Sequence, residues 1–375
     1  MKTKNVLRVV VAGLASWLCA APAMSAGWTL IDLGTLGGST SEVSGLNDAG
    51  QVVGYAQTAD GTPYPVVWNN GVATLLSSRP GRAIAISPAG VMAGNVISAT
   101  STKMDATLLT GGNAYDLGTF GGSFSIVSGV NDSGQVAGFA RTTDEKEHAF
   151  LATASGMVDL GTFGGQYSYV YGLNQAGLAV GTAFDASGTQ RCFRSTGGGL
   201  IDLGTLGGRF CNAMAVNDAG QITGGSGTSG GLGHAFVFDS RGMVDLGTLG
   251  GTSSIGYAIN RFGQTVGSAR TPSNLSHAFF HDGTRMIDLG TLGGSTSIAR
   301  GVNASGQVVG YSTPANSSTS QAFLYSNGVM LDMNTLAPGL SNIDIYSTRI
   351  NDAGQIAGTA TIGGNKHAFL LTPTP

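Results

Sequence analysis

The sequence predicts an all-β fold, an eight-bladed β-propeller of four-stranded antiparallel sheets, and three observations carry that expectation. First, a seven-residue phrase recurs. DLGTLGG stands at 32–38, returns as DLGTFGG at Asp116 and Asp159 and as DLGTLGG at Asp202, Asp245 and Asp288, and ends in a worn DMNTLAPG from Asp332. Steps between these aspartates are 84, 43, 43, 43, 43 and 44 residues, the first being two periods of 42 with a degraded TLL at 74–76 between them. Self-similarity at such a period marks a propeller, solenoid or array. Second, each period holds four short β-prone runs and no helical spacing. Third, the two ends of the repeat array complement each other.

The first residues come before the array. Lys2, Lys4 and Arg8 precede an apolar run from Val9 to Leu18, then small residues up to Gly27. This is the layout of a secretory signal peptide, too short in its apolar part to span a bilayer. Cleavage is expected after Ala26, with Ala23 as the alternative. Leu18 is larger than the residue that ordinarily precedes a lipidated cysteine, which argues against lipidation of Cys19. No later stretch is long and apolar enough for a membrane span, so an exported, soluble chain is expected, secreted or periplasmic.

Removing residues 1–26 leaves 349, against 344 for eight periods of 43, so 27–375 is read as one domain. The three basic residues of the leader leave 15 Lys and Arg against 21 acidic residues, a net charge of −6. That balance offers no footprint for nucleic acid or anionic lipid. Charged residues make up 10% of the chain and hydrophobic residues 42%, a composition that buries a core rather than staying disordered.

Within one period, 123–165 for example, the runs 125–130 and 135–140 flank Asn131-Asp132-Ser133-Gly134. A short Asx and Gly segment between β-prone runs is a hairpin signal. The same turn stands at Asn47, Asn174, Asn217, Asn260, Asn303 and Asn351, with Ser87 opening a worn copy. A polar loop of variable sequence leads to a third run, HAFLA at 148–152, and a Gly turn leads to a fourth, GMVDL at 156–160. Side-chain size orders these strands. Two residues before the turn Asn stand Gly45, Gly129, Gly172, Ala215, Ala258 and Gly301, small residues suited to the crowded strand nearest an axis. The first run is therefore innermost, the fourth outermost, and DLGTLGG is the crossing between successive sheets. The chain opens after the leader with a fourth run, 28–33, and closes on three runs lacking a fourth, 345–371. The N-terminal strand is expected to complete the C-terminal sheet and clasp the ring. A β-helix or solenoid is the alternative, but its coils are shorter and need no such division.

These three phrases, DLGTLGG, INxxGQVVG and HAF, resemble the exported bacterial proteins of the HAF-repeat family, over essentially the whole of 27–375. The resemblance implies export and a repeated β architecture and names no substrate. Some relatives carry a C-terminal sorting segment with a Pro-Glu-Pro motif, which this sequence lacks.

Weighed for chemistry, the repeated residues read as structural. His148, His234, His277 and His367 occupy one repeat position, so a ring would hold them apart, and no metal site is expected from them. The DLG aspartates occur once per sheet, as turn acceptors do, whereas a catalytic pair is used once per site. GTLGG leads into no helix and is no phosphate cradle. Calcium loops and HExxH are also missing, and no cofactor is expected. Cys192 and Cys211, 19 residues apart in an exported chain, are either a disulfide or two small buried thiols.

What varies on this fixed frame is the second residue after each GG, which is aromatic at Phe124, Tyr167 and Phe210, with Tyr169 and Tyr171 close by. Adjacent exposed rings form a stacking platform for a glycan or a patch for a protein; alternatively they fill grooves between sheets. The loops at 142–147 and 228–233 differ from one another and add a second variable surface. The expected function is a monomeric, non-catalytic binding or scaffolding module for a polysaccharide or extracellular protein. A glycan hydrolase or lyase using carboxylates such as Glu42 or Asp344 near the axis is the alternative, and a structural matrix component a third.

Overall fold

A computed structural model describes residues 27–374 apart from 101, 111 and 112. The expected leader and its cleavage site lie outside the described residues. Strands dominate, and six sheets each contain four strands in sequence order, as in Gly121–Val130, Val136–Thr142, Glu147–Thr153 and Gly156–Gly161. A further, eight-stranded sheet divides in two where Thr40 and Lys366 form a parallel bridge. One half is 37–75. The other joins Arg349–Ile350, Ile356–Ile362 and Asn365–Pro373 to Trp28–Asp32, which runs antiparallel to the third of these from Trp28↔Pro373 to Asp32↔Phe369. Numbered from the N-terminus, sheets 1–7 start at 37, 81, 121, 164, 207, 254 and 293, and sheet 8 is the one shared by both ends. The fold is a β-propeller.

The turn asparagines tie these sheets into a closed circle. The side-chain amide of Asn131 donates to the carbonyl of Asn174 in the next sheet, Asn174 to Asn217, Asn217 to Asn260, Asn260 to Asn303, and Asn303 to Asn351. Asn351 donates to the Asn47 carbonyl at 3.0 Å, and Asn47 to that of Ser87 at 3.3 Å. Ser87 has no amide to pass on. There the Ala89 N–H donates instead to the Asp132 carboxylate at 2.8 Å, completing the circuit. Each turn Asn also accepts from the backbone four residues on, as in Gln221 N–H to Asn217 Oδ1 at 2.9 Å, so the polar side chain is satisfied although buried.

The letters of HAF take separate duties. Phe150, Phe193, Phe236, Phe279, Phe323 and Phe369 are fully buried between sheets, each burial worth about 1.5–3 kcal/mol. They sit over the Gly of the second strand. At Gly138 a Cβ would fall 1.9 Å from the Ile126 carbonyl and 3.0 Å from the Phe150 ring, so no side chain fits there. The Ala N–H crosses to the next sheet: Ala149 donates to Ser168 Oγ at 2.8 Å, and that hydroxyl donates to the Gly161 carbonyl at 2.7 Å. The His clasps its own sheet's outer strand. His148 Nδ1 lies 2.9 Å from Asp159, and His234–Asp245 and His277–Asp288 repeat the pair. In sheet 8 the same pair, His367 with Asp32 at 3.0 Å, joins residues from opposite ends of the chain. The Asp also serves as the expected turn acceptor, taking the Gly161 N–H at 2.7 Å in sheet 3.

In the crossing, Gly34 and Gly37 take φ of 62° and 98°, the two turns that the phrase needs. Sheet 8 departs from the expected pattern, because its inner strand is only Arg349–Ile350. The worn phrase before it carries Ala337 and Pro338 where the others have the GG pair, and Pro cannot donate to a ladder. The chain instead makes a short 3-10 turn at Met333–Thr335 and packs Met333, Ala337, Leu340 and Ile343 into the core before rejoining.

Candidate binding face

Inner strands start, and second strands end, on the side where the GG crossings and variable loops lie; the asparagine turns occupy the other side. Tyr167, Tyr169 and Tyr171 alternate along Gly164–Leu173, and alternate residues of a strand share one face. Their rings are spaced 6.5 Å apart at each step with interplanar angles of 12° and 21°. Phe139 meets Tyr169 edge-on at 5.2 Å and Phe124 at 6.4 Å, while Phe184 meets Tyr167 at 6.0 Å. Four of the five aromatic residues singled out in the sequence therefore form one cluster across sheets 3 and 4. Phe210 stands apart, in a separate cleft of about 290 Å³ between sheets 5 and 6 with Asn212, Ile255 and Arg270.

Tyr167, Tyr171 and Phe210 are 38%, 45% and 37% exposed, so part of each ring is open to solvent and the rest is packed against neighbours. Tyr169 is the anchor: its hydroxyl donates to Glu147 at 2.7 Å, and burial together with that carboxylate raises its pKa. Glu147 in turn pairs with Arg141 at 3.1 Å, whose guanidinium lies 4.3 Å over the Phe124 ring. The cluster is thus held by a hydrogen-bonded frame from the preceding sheet. Phe139 and Phe184 belong to second strands and were not singled out by the sequence. The signal available was variation within a repeat column, since the position of Phe139 is Tyr55, Thr182, Gly225 and Tyr311 in other sheets.

A second group lies near the axis. A cavity of about 570 Å³ is lined by inner-strand residues of sheets 1, 2 and 3, among them Glu42 and Arg82, together with Arg349 of sheet 8 and Asp344 and Tyr346 from the segment that leads into it. Glu42 and Asp344 do come together here, and Lys366 Nζ lies 2.6 Å from the first and 3.7 Å from the second. Burial lowers the Lys366 pKa, but the two carboxylates outweigh it and hold the ammonium above its ordinary value. Tyr55, beside Glu42, is pushed up to about 12 by burial and by that carboxylate.

Cys192, on the third strand of sheet 4, and Cys211, on the inner strand of sheet 5, are bonded, with Cα atoms 4.8 Å apart. They stand where sheets 3 and 4 place Ala149 and Ser168, so a covalent link replaces an inter-sheet hydrogen bond. Sheets 4 and 7 replace the His of the His–Asp pair by Arg191 and Gln321, and sheets 1 and 2 depart further. Tyr64 and Leu75 take those positions in sheet 1, and in sheet 2 Asp105 faces Asp116, which Arg79 neutralises at 2.7 Å.

No family model matches the chain. No curated protein matches it either. Among solved structures, the chain is similar to one from a structural and mechanistic analysis of two prolyl endopeptidases, with 12% identity, a TM-score of 0.51, and 87% of this chain and 55% of that one covered. It is also similar to the β-propeller domain of the Trilobed protease from Pyrococcus furiosus, at 8% identity, a TM-score of 0.35, and 89% and 84% coverage. A puromycin hydrolase S511A mutant complexed with PGG shows 14% identity, a TM-score of 0.46, and 88% and 60% coverage. The chain spans 59–61% of the length of the first three structures it matches. At these identities the likeness concerns the fold alone.

Proposed function

We propose that this chain is an exported, non-catalytic binding module of the HAF-repeat type, which recognises a polysaccharide through the face carrying the tyrosine stripe. The carrying observation is the row of three rings at 6.5 Å steps, two of them exposed and the third pinned by Glu147. Rings preset in this way lose little freedom when a sugar face stacks on them, and an aromatic contact contributes roughly 0.5–1.5 kcal/mol beyond area burial. Glu42 and Asp344, the carboxylates that a glycan-cleaving reading would use, are both engaged by Lys366, which favours binding over cleavage. A secreted or periplasmic location follows from the expected leader.

The test is a glycan array probed with purified residues 27–375, followed by calorimetry on the best binder and an assay for reducing-end release. The expected result is binding without turnover. Replacing Tyr167 and Tyr171 together by Ala should weaken binding by roughly tenfold or more while leaving thermal stability nearly unchanged. Retention of a protein partner alone, with no glycan bound, would refute the saccharide reading.

A further inference from the structure

Two arginines of the axial cavity, Arg82 and Arg349, form no salt bridge among the described residues. Arg349 Nε donates to the Ser44 carbonyl at 3.1 Å, and its Nη1 donates to the carbonyls of Tyr346 and Thr348 at 3.0 and 2.9 Å. These bonds fix the guanidinium plane and leave the Nη2 hydrogens without a protein acceptor among the described residues. Arg82 lies over the Tyr55 ring at 5.1 Å and makes no ion pair among the described residues. Both acidic groups of the cavity are held by Lys366 instead. The cavity thus sets Arg82 and Arg349 beside Glu42 and Asp344, and because Lys366, outside its lining, pairs with both acids, the two arginines are the groups left to meet an anion. Tyr346, 67% exposed, stands with them and meets Tyr311 edge-on at 5.7 Å.

We infer that this cavity is a subsite for the carboxylate groups of an acidic saccharide, so that the partner is a uronic-acid polymer; the inference rests on the tyrosine-stripe reading above. A planar guanidinium held by backbone carbonyls offers a preset donor edge that suits a carboxylate. A neighbouring exposed tyrosine suits the sugar ring that bears it. Neutral glycans would leave the arginines unanswered, and an acidic peptide would supply carboxylates without the stacking faces.

The test measures binding of an oligogalacturonate, a neutral oligoglucoside of equal length and poly-glutamate to residues 27–375 by calorimetry. The uronate oligomer is expected to bind at least tenfold more tightly than either of the others. Arg82→Gln, which removes no backbone contact, should weaken uronate binding by roughly 10-fold or more, the size of a lost charged hydrogen bond, and leave neutral binding unchanged. Arg349→Gln should act in the same sense, with its melting temperature recorded because Arg349 also ties sheet 8 to sheet 1. Tyr167→Ala with Tyr171→Ala should weaken both oligosaccharides. Equal binding of neutral and uronate oligomers overturns the subsite and leaves the stripe standing. Poly-glutamate binding as tightly as the uronate overturns the saccharide assignment, and binding of neither oligosaccharide overturns the stripe reading together with the subsite.

Discussion

Replacing Cys192 by Ala and Cys211 by Ser rewrites one sheet interface in the form that its neighbours already use. In the chain-entropy view, a link closing 19 residues stabilises the fold by about 3 kcal/mol. The substituted pair does not lose all of this. A hydroxyl at 211 can accept the residue 192 N–H and donate to the Gly204 carbonyl, as Ser168 does with Ala149 and Gly161 at 2.8 and 2.7 Å. Each such bond contributes about 1 kcal/mol net. The Ala/Ser variant should therefore fall only about 1 kcal/mol below the native protein, whereas Ala at both positions should fall by about 3 kcal/mol. Urea denaturation of residues 27–375 measures this, with reductant present and absent, and thiol titration of the unfolded native protein under non-reducing conditions accompanies it. Two free thiols, or an Ala/Ser variant no more stable than the double Ala, would refute the reasoning.

Two further perturbations probe the frame. Asn217→Ala removes the amide bonds to Asn260 at 3.0 Å and Gln221 at 2.8 Å and the acceptor for the Gln221 N–H, all at a buried site. A loss of about 2–4 kcal/mol is expected in urea denaturation, and Asn217→Ser, the residue found naturally at position 87, should cost less. Asp105→Asn should stabilise the protein near neutral pH. Burial first, then the charge of Asp116, raises the Asp105 pKa, so folding penalises its ionised form above the unfolded carboxylate value. That penalty disappears as pH falls through the raised pKa, so the advantage of Asn should shrink on acidification. Melting curves from pH 7 down to pH 4 test the sign, and an advantage that grows toward pH 4 counts against it.

The repeat made the sheets legible because its period equals one meander, and the Asn and Gly pairs marked each hairpin. The joining of Trp28–Asp32 to the last sheet was legible for the same reason, as the two ends held complementary runs. Other features required knowledge of strand register. His148 and Asp159 lie 11 residues apart on adjacent antiparallel strands, and only the register of the hairpin between them brings them together. The asparagine circuit depends on how closely neighbouring turns approach, which side-chain size suggests but does not specify. At the candidate face, the sequence found the tyrosines because they vary against a constant frame. It missed Phe139 and Phe184, which contribute from the second strand. Phe210 shared the repeat position but not the cluster, because sheet 5 carries Asn212 and Met214 where sheet 4 continues its aromatic stripe. Lys366 drew no attention since its two acids lie more than 300 residues and about 20 residues away, and only closure of the ring assembles the three.

The seam at sheet 8 dictates an order of assembly. Seven sheets are continuous in the chain and can form as they are made, but Trp28–Asp32 has no edge to join until Asn365–Pro373 exists. The earliest strand therefore waits for the latest one, and Glu42, Asp344 and Lys366 become neighbours only at that final step. A chain cut short before its last strand would keep most of its hairpins yet remain an open arc, without a complete axial cavity.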